Sequence, residues 1–409
     1  MDVCVNPSFN LTGLYLMMNG PLKKAHRMEV LPAYLFDEMG LLKKEAADRG
    51  TDIIDLGIGD PDSETPEHII EATKTALDEA KNHHYSSYQG LPELRRALAQ
   101  WYLNRFGVDL DPETEILPLI GSKEGIGHIH LAYVNPGDEV LIPDPGYPAY
   151  QGGAILAEGK PLPYPLLKEN QFLPDLPGIE RLDLSRVRLM HINFPGNPTA
   201  ATASVRFFEE VVDFGLRHGI IVCHDAAYSE LYFDGAPSPS FLQATDAKKI
   251  GIEFHSLSKT FNMTGWRLGV AAGNRDILSA LRTVKSNYDS GLFAVIQWAG
   301  IAALRGDQSY LGEIRDQFQK RRDLFVEGLN RIGFSIPKPK ATFYVWGETP
   351  GNMPSRTFAK RLLEEAGVVV TPGIGFGKYG EGYFRAAMTV SEARIEEAVE
   401  RIKKVSLKI

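Results

Sequence analysis

"RLMHINFPGNPTAATASVRFFEEVVDFGLRHGIIVCHDAAYSE" spans residues 188–230. It opens and closes on short, nearly continuous apolar runs, and between them Phe207, Phe208, Val211, Val212 and Phe214 recur at helical spacing. Strand, amphipathic helix, strand is the reading. Strands apolar on both faces belong to a mainly parallel sheet covered on both sides. "EVLIPDPG" (139–146) and "IGIEFHSLSK" (250–259) extend the pattern. Each strand runs into polar residues: Asp144, Asn197, Asp225, and 256–259 with Ser256, Ser258 and Lys259. Ligands of open α/β sheets bind beyond the carboxyl ends of the strands, so these residues are expected to converge.

Working outward, Thr65-Pro66 reads as a side-chain cap and first-turn proline for a helix carrying Ile69, Ile70, Ala76 and Leu77. A second helix follows "YQGLP", with Leu94, Ala97, Leu98 and Trp101 on one face. The last hundred residues change character, with strands at "KATFYVWGETP" and "YFRAAMTV" flanking a helix near 358–366, and a final helix capped by Ser391. The expected organisation is an extension over 1–30, a segment over 31–60 that joins the small domain, a large domain over 61–305 and a small α+β domain over 306–409.

The 409 residues are 44% hydrophobic and 23% charged with a net charge of −8, which fits a globular chain and gives no general attraction for nucleic acid or anionic lipid. Cys4 and Cys223 are isolated, so no disulfide framework or zinc site is expected and a reducing cytoplasm is. The apolar stretch over 11–18 precedes its basic residues, the wrong order for a signal peptide, and is too short to span a bilayer. Met28 is an alternative start.

Three segments bear on chemistry. "GFGKYG" matches the dinucleotide pattern at Gly375, Gly377 and Gly380, yet it leads into a strand where that fold needs a helix N-terminus. "GSKEGIGHIHLAY" does place Gly121, Ser122 and Lys123 at the start of a helix, where backbone N–H groups and the helix dipole suit a phosphate. "HSLSKTFNMTGWRLG" (255–269) sets Lys259 between hydroxyl residues, with Arg267 eight positions on. Ser256, Ser258 and Arg267 are donors suited to one phosphate, and lysine is the side chain that forms a Schiff base with an aldehyde. Amine and phosphate site together point to pyridoxal 5′-phosphate. That cofactor also needs an acid at its ring nitrogen, hydrogen bonds to its phenolic oxygen and a stacking partner, and Asp225, Tyr228, Asn197 and Tyr147 are residues of those types.

In its order of motifs, "YQGLPELRRALA", "GSKEGI", "DPGYPAY", "NFPGNPT", "HDAAYSE", "SLSKTFNMTGWRLG" and "YFRAAMT", the chain from about Tyr34 onward resembles the class I/II aminotransferases of fold-type I. The resemblance implies a homodimer with shared active sites and a role for each residue. Lys259 carries the cofactor, Asp225 pairs with the ring nitrogen, Asn197 and Tyr228 hold the phenolic oxygen, and Tyr147 stacks on the ring. Ser122, Lys123, Ser256, Ser258 and Arg267 bind the phosphate, which Tyr85 reaches from the neighbouring subunit. Arg385 and Gly59 receive the substrate carboxylate, and no metal is involved. "AYLFDEM", "LGIGDPD", "KATFYVWGETP" and "GFGKYGEGYFRAAMT" are most similar to the LL-diaminopimelate subgroup, in which the early tyrosine, Tyr34 here, contacts substrate. Tyr88 departs from one branch of that subgroup, which carries a glutamate there for the distal ammonium. Alanine, aspartate and aromatic amino acids are the alternative substrates.

Overall fold

The computed structural model describes residues 23–32 and 35–407. Its strands are β1 (Ile54–Asp55), β2 (Ile116–Leu119), β3 (Glu139–Asp144), β4 (Lys160–Pro165), β5 (Val187–Asn193), β6 (Ile221–Asp225), β7 (Gly251–Ser256), β8 (Gly269–Gly273), β9 (Tyr344–Glu348), β10 (Val368–Val369), β11 (Thr371–Pro372) and β12 (Tyr383–Ala387). The stretch around 188–230 folds as read. β5 and β6 pair in parallel from Leu189 opposite Ile221 to Asn193 opposite Asp225. The helix between them, Val205–His218, starts where the Ser204 hydroxyl accepts the Phe207 N–H and stops at Gly219, whose φ of 65° is left-handed. Phe207, Phe208, Val211, Val212 and Phe214 are all buried, and each removed from water contributes about 1.5–3 kcal/mol before the entropic cost of ordering.

Seven strands form one sheet in the order β2-β8-β7-β6-β5-β3-β4. All pairs are parallel except those of β8, which is antiparallel to both β2 and β7. Hydrophobic clusters cover the sheet, one centred on Phe208, Leu257 and Leu268 and one on Ile126, Leu189 and Phe254. This is the α/β architecture expected of the sequence.

A third cluster forms elsewhere, from Leu56, Phe318, Phe325, Val345, Phe384 and Ile395, around a three-stranded antiparallel sheet ordered β11-β12-β9 and the helices Ser309–Arg331 and Glu392–Lys403. The early segment joins it through β1, which pairs in parallel with β10. Ser391 caps the last helix by accepting the Arg394 N–H. Around "GFGKYG" the chain makes two short 3₁₀ turns, Gly373–Phe376 and Lys378–Gly380, and then enters β12. No helix N-terminus for a dinucleotide is built there.

Two local expectations are corrected. Thr65 does not cap the helix Glu67–Leu77, because its hydroxyl donates instead to the Asn262 carbonyl at 2.7 Å. Asp144 does not converge with the other strand ends: its carboxylate accepts the N–H groups of Lys378 and Tyr379, at 3.2 and 3.0 Å, and ties β3 to the turn before β12. Among the described residues no helix is long and apolar enough to cross a membrane.

Candidate active site

β6 delivers Asp225 at its last position, and β7 ends at Ser256, whose hydroxyl accepts the Ser258 N–H and starts a one-turn helix, Leu257–Thr260, carrying Lys259. Opposite them, Gly121 takes a left-handed φ of 73° and opens the helix Ser122–Tyr133. A cavity of about 270 Å³ lies between these ends, lined also by Gly59, Tyr147, Asn197, Tyr228, Arg267 and Arg385. Asp144 aside, the residues given cofactor or substrate roles meet there with two exceptions. Tyr85 lies outside the cavity and is 91% exposed, and Tyr34 lies outside the described residues.

One end of the cavity is a donor cup. The first N–H groups of a helix have no partner within it, so the helix start at Ser122, in the cavity lining, suits an anion. The Ser258 hydroxyl is buried with no hydrogen-bond partner among the described residues. Arg267 adopts a left-handed φ of 58°, donates to the Thr264 carbonyl at 2.8 Å and lies so close over Gly121 that a Cβ there would collide with its guanidinium. A glycine is needed both for the backbone angle and for that approach.

In the middle, Lys259 is largely buried and its ammonium donates to the Gly59 carbonyl at 2.7 Å. Burial pushes its pKa down to about 8; Arg267 and Arg385 push the same way, and Asp60 opposes them. Asp225 is shifted upward by burial, against a 2.8 Å hydrogen bond from the Tyr150 hydroxyl to Oδ2 and a longer one from the Ala227 N–H to Oδ1. Asn193 fixes the same residue by donating to its carbonyl at 2.6 Å.

At the far end Arg385 is 2% exposed, projects from β12, and donates to Asn197 Oδ1 at 2.8 Å and to the Gly57 carbonyl at 2.7 Å. Its guanidinium packs over the Tyr344 ring, 4.2 Å from the centroid. The Tyr344 and Tyr228 hydroxyls are 3.1 Å apart, and Tyr344 closes the space beside Gly59, where a Cβ would overlap its ring. Tyr344 and Tyr150 were not foreseen. Tyr150 stands one helical turn after Tyr147, a spacing that could have drawn notice, whereas nothing in the alternation of β9 marks the Tyr344 hydroxyl.

Residues 51–402 match the family model described as aminotransferase class I and II. This chain belongs to that family. An LL-diaminopimelate aminotransferase of Moorella thermoacetica is 53% identical over 388 residues, covering 95% of this chain and all of that one. Among solved structures, substrate-bound BacF of Bacillus subtilis superposes with a TM-score of 0.90 at 38% identity, over 95% of this chain and 98% of that one. A mutant aspartate aminotransferase of Thermus thermophilus gives 0.89 at 29% identity, over 94% of this chain and all of that one.

The cofactor of this aminotransferase is pyridoxal 5′-phosphate, and the cavity fits it on its own chemistry. An orphaned serine hydroxyl, a helix N-terminus and a guanidinium make a phosphate cup. A lysine with a lowered pKa supplies amine for an aldehyde. A buried carboxylate whose burial outweighs the groups that favour its charge suits a cationic ring nitrogen.

Proposed function

We propose that this aminotransferase exchanges an amino group between LL-2,6-diaminopimelate and 2-oxoglutarate in a ping-pong cycle of lysine biosynthesis, with tetrahydrodipicolinate on the other side. It does so in the cytoplasm as a homodimer in which Tyr85 reaches the neighbour's phosphate. The observation that carries the reading is the placement of Lys259 and Arg385 in one cavity: a buried amine whose pKa is lowered to about 8 and a buried guanidinium that can grip an α-carboxylate. The relative of Moorella thermoacetica supports the choice of substrate.

Pyridoxal 5′-phosphate, when bound, supplies an aldehyde for amine exchange and a ring that accepts electrons from the substrate Cα. The chain's own groups do the rest. Ser122, Lys123, Ser256, Ser258 and Arg267 hold the phosphate, Tyr147 covers one ring face, and Tyr228 and Asn197 hold the phenolic oxygen. Asp225 keeps the proton on the ring nitrogen, where its own burial makes a cationic partner most valuable. Arg385 orients the α-carboxylate with two parallel N–H donors, and the bond from its Nη1 to Asn197 sets the plane of that fork. Lys259 Nζ then takes the proton from the substrate Cα, a task suited to an amine whose pKa lies close to working pH.

A second reading keeps the same chemistry with a monoamino donor: alanine, aspartate or an aromatic amino acid. Tyr88, 45% exposed, favours it by standing where a carboxylate would receive a distal ammonium. Turnover of LL-diaminopimelate and of these donors with 2-oxoglutarate decides between them. Efficient use of a monoamino acid alongside none of diaminopimelate ends the first reading. Mixing enzyme with donor alone tests for transamination against elimination or racemisation, since only a transaminase accumulates the pyridoxamine spectrum.

A further inference from the structure

Lys285 lies on the helix Arg275–Tyr288 with no exposed side-chain surface and does not line the cavity. Its ammonium donates to both oxygens of Glu124, at 3.1 and 3.2 Å, and to Asp289 Oδ2 at 2.9 Å. Removing three charged groups from water is costly, and a buried ion cluster is weak evidence of stability for its own sake. What the cluster holds in place is more informative.

Glu124 is the third residue of the helix that opens the phosphate cup, and its Oε2 accepts the Ile120 N–H at 2.5 Å. The carboxylate therefore ties the backbone before Gly121 to the helix that follows it. The turn it fixes is the one whose left-handed φ aims the N–H groups of Ser122 and Lys123 into the cavity and over which the Arg267 guanidinium lies. His128 Nδ1 also stands 3.4 Å from Glu124 Oε1, so Lys285 and His128 are the basic groups facing this carboxylate. Asp289 works outward. Its Oδ1 accepts the Gly291 N–H at 2.7 Å, and a Cβ on Gly291 would lie 3.1 Å from the Ser87 carbonyl and 3.3 Å from that of Ser86, two residues that directly follow Tyr85.

We propose that Lys285 is a positioning residue for phosphate recognition, which through Glu124 holds the 120–121 turn in the conformation that presents the Ser122 and Lys123 N–H groups to the phosphate. The proposal rests on the reading that the cofactor phosphate binds at Ser122, Ser258 and Arg267. Without the ammonium, Glu124 has reason to turn toward His128 or water and release Ile120, and the cup loses its fixed geometry while Lys259 keeps its own.

The test compares two aldehydes that differ only in the phosphate. Full-length apoprotein is titrated with pyridoxal 5′-phosphate and with pyridoxal, followed by absorbance, for the wild type, Lys285→Met, Lys285→Arg and Glu124→Gln. The expected result is an affinity for the phosphorylated aldehyde weakened by about tenfold or more in Lys285→Met, the loss that goes with releasing one charge-assisted contact. Pyridoxal binding should be unchanged, and Lys285→Arg should recover at least part of the loss. Equal weakening toward both aldehydes, or none toward either, overturns the proposal. Should Lys285→Met not fold, Glu124→Gln must show the same selective loss, and its absence there overturns the proposal equally. If the wild type itself fails to prefer the phosphorylated aldehyde, the assignment of the cup is what has failed, and the inference falls with it.

Discussion

The Tyr150 hydroxyl donates to Asp225 Oδ2 at 2.8 Å while the Tyr150 ring lies 14° from parallel to the His191 imidazole, centroids 4.9 Å apart. His191 in turn stacks on His130, with 3.0 Å between their Nε2 atoms. Burial drives the pKa of His130 down to about 4 and that of His191 well below its ordinary value, so both rings are neutral at physiological pH. On this side Asp225 is supported by a hydrogen bond and no cation, which fits its proposed pairing with the ring nitrogen of the cofactor.

Tyr150→Phe tests that arrangement. A hydrogen bond to a charged group is worth about 1.5–3 kcal/mol, so kcat/KM should fall roughly ten- to hundredfold. The α-proton isotope effect should rise as proton abstraction becomes the slower step. Unchanged kinetics would mean that the hydroxyl does not act on Asp225.

Lys259 gives a pH prediction. Its pKa is lowered from 10.5 to about 8, and only the neutral amine adds to an aldehyde. Capture of pyridoxal 5′-phosphate by the apoprotein should therefore accelerate as pH rises, about tenfold per unit well below 8, and level off above it. Stopped-flow absorbance reads this directly. A plateau reached only near pH 10 would show that burial does not depress the amine, and Lys259→Ala should show neither capture nor turnover.

Arg385→Lys keeps a positive charge and loses the planar fork. We expect kcat/KM for the amino donor to drop by about two orders of magnitude or more, because a buried bidentate pair is broken and Asn197 loses its partner. Cofactor affinity should fall far less than that, since Arg385 is not among the phosphate donors and reaches the proposed ring site only through Asn197. Equal loss of cofactor affinity would contradict this separation.

Glu253 gives a prediction on stability. The carboxylate is 1% exposed, and burial alone would raise its pKa; His224, Ser240, the Phe241 N–H and the Tyr102 hydroxyl all donate to it and hold it below 4.5 instead. A carboxylate with a depressed folded-state pKa adds stability above its unfolded value and loses it as pH falls through the folded one. Urea unfolding of the wild type should therefore weaken as pH drops below about 4.5. Glu253→Gln should be less stable at neutral pH and flatter over that acid range. Parallel pH profiles for the two proteins would rule out this account.

How much of this could be read in the chain depends on the kind of contact. Lys259, Ser256, Ser258 and Arg267 were legible because a local turn brings them together, and Asp225 because it ends a strand with an unmistakable pattern. Arg385, far away in sequence, was reachable only through family resemblance. Tyr344 escaped because strand alternation says which face a residue takes, not that its hydroxyl will meet that of Tyr228. Asp144 misled for the same reason: it does end a strand, but the 377–379 turn, 235 positions on, claims its carboxylate. Thr65 looked like a cap, but its hydroxyl is held by donating to the Asn262 carbonyl and accepts no local N–H.

The arrangement of the cavity along the chain has a consequence for biosynthesis. The groups proposed to receive phosphate and ring lie at or before Arg267, ahead of the end of β8 at Gly273. Arg385, proposed to grip the α-carboxylate, comes with Tyr344 from a separate core completed more than a hundred residues later. As the polypeptide leaves the ribosome, a nascent chain has the residues proposed to hold the cofactor before it has the guanidinium proposed to grip the substrate. Early loading can thus aid maturation of the first core while the reaction waits for the last strand to dock.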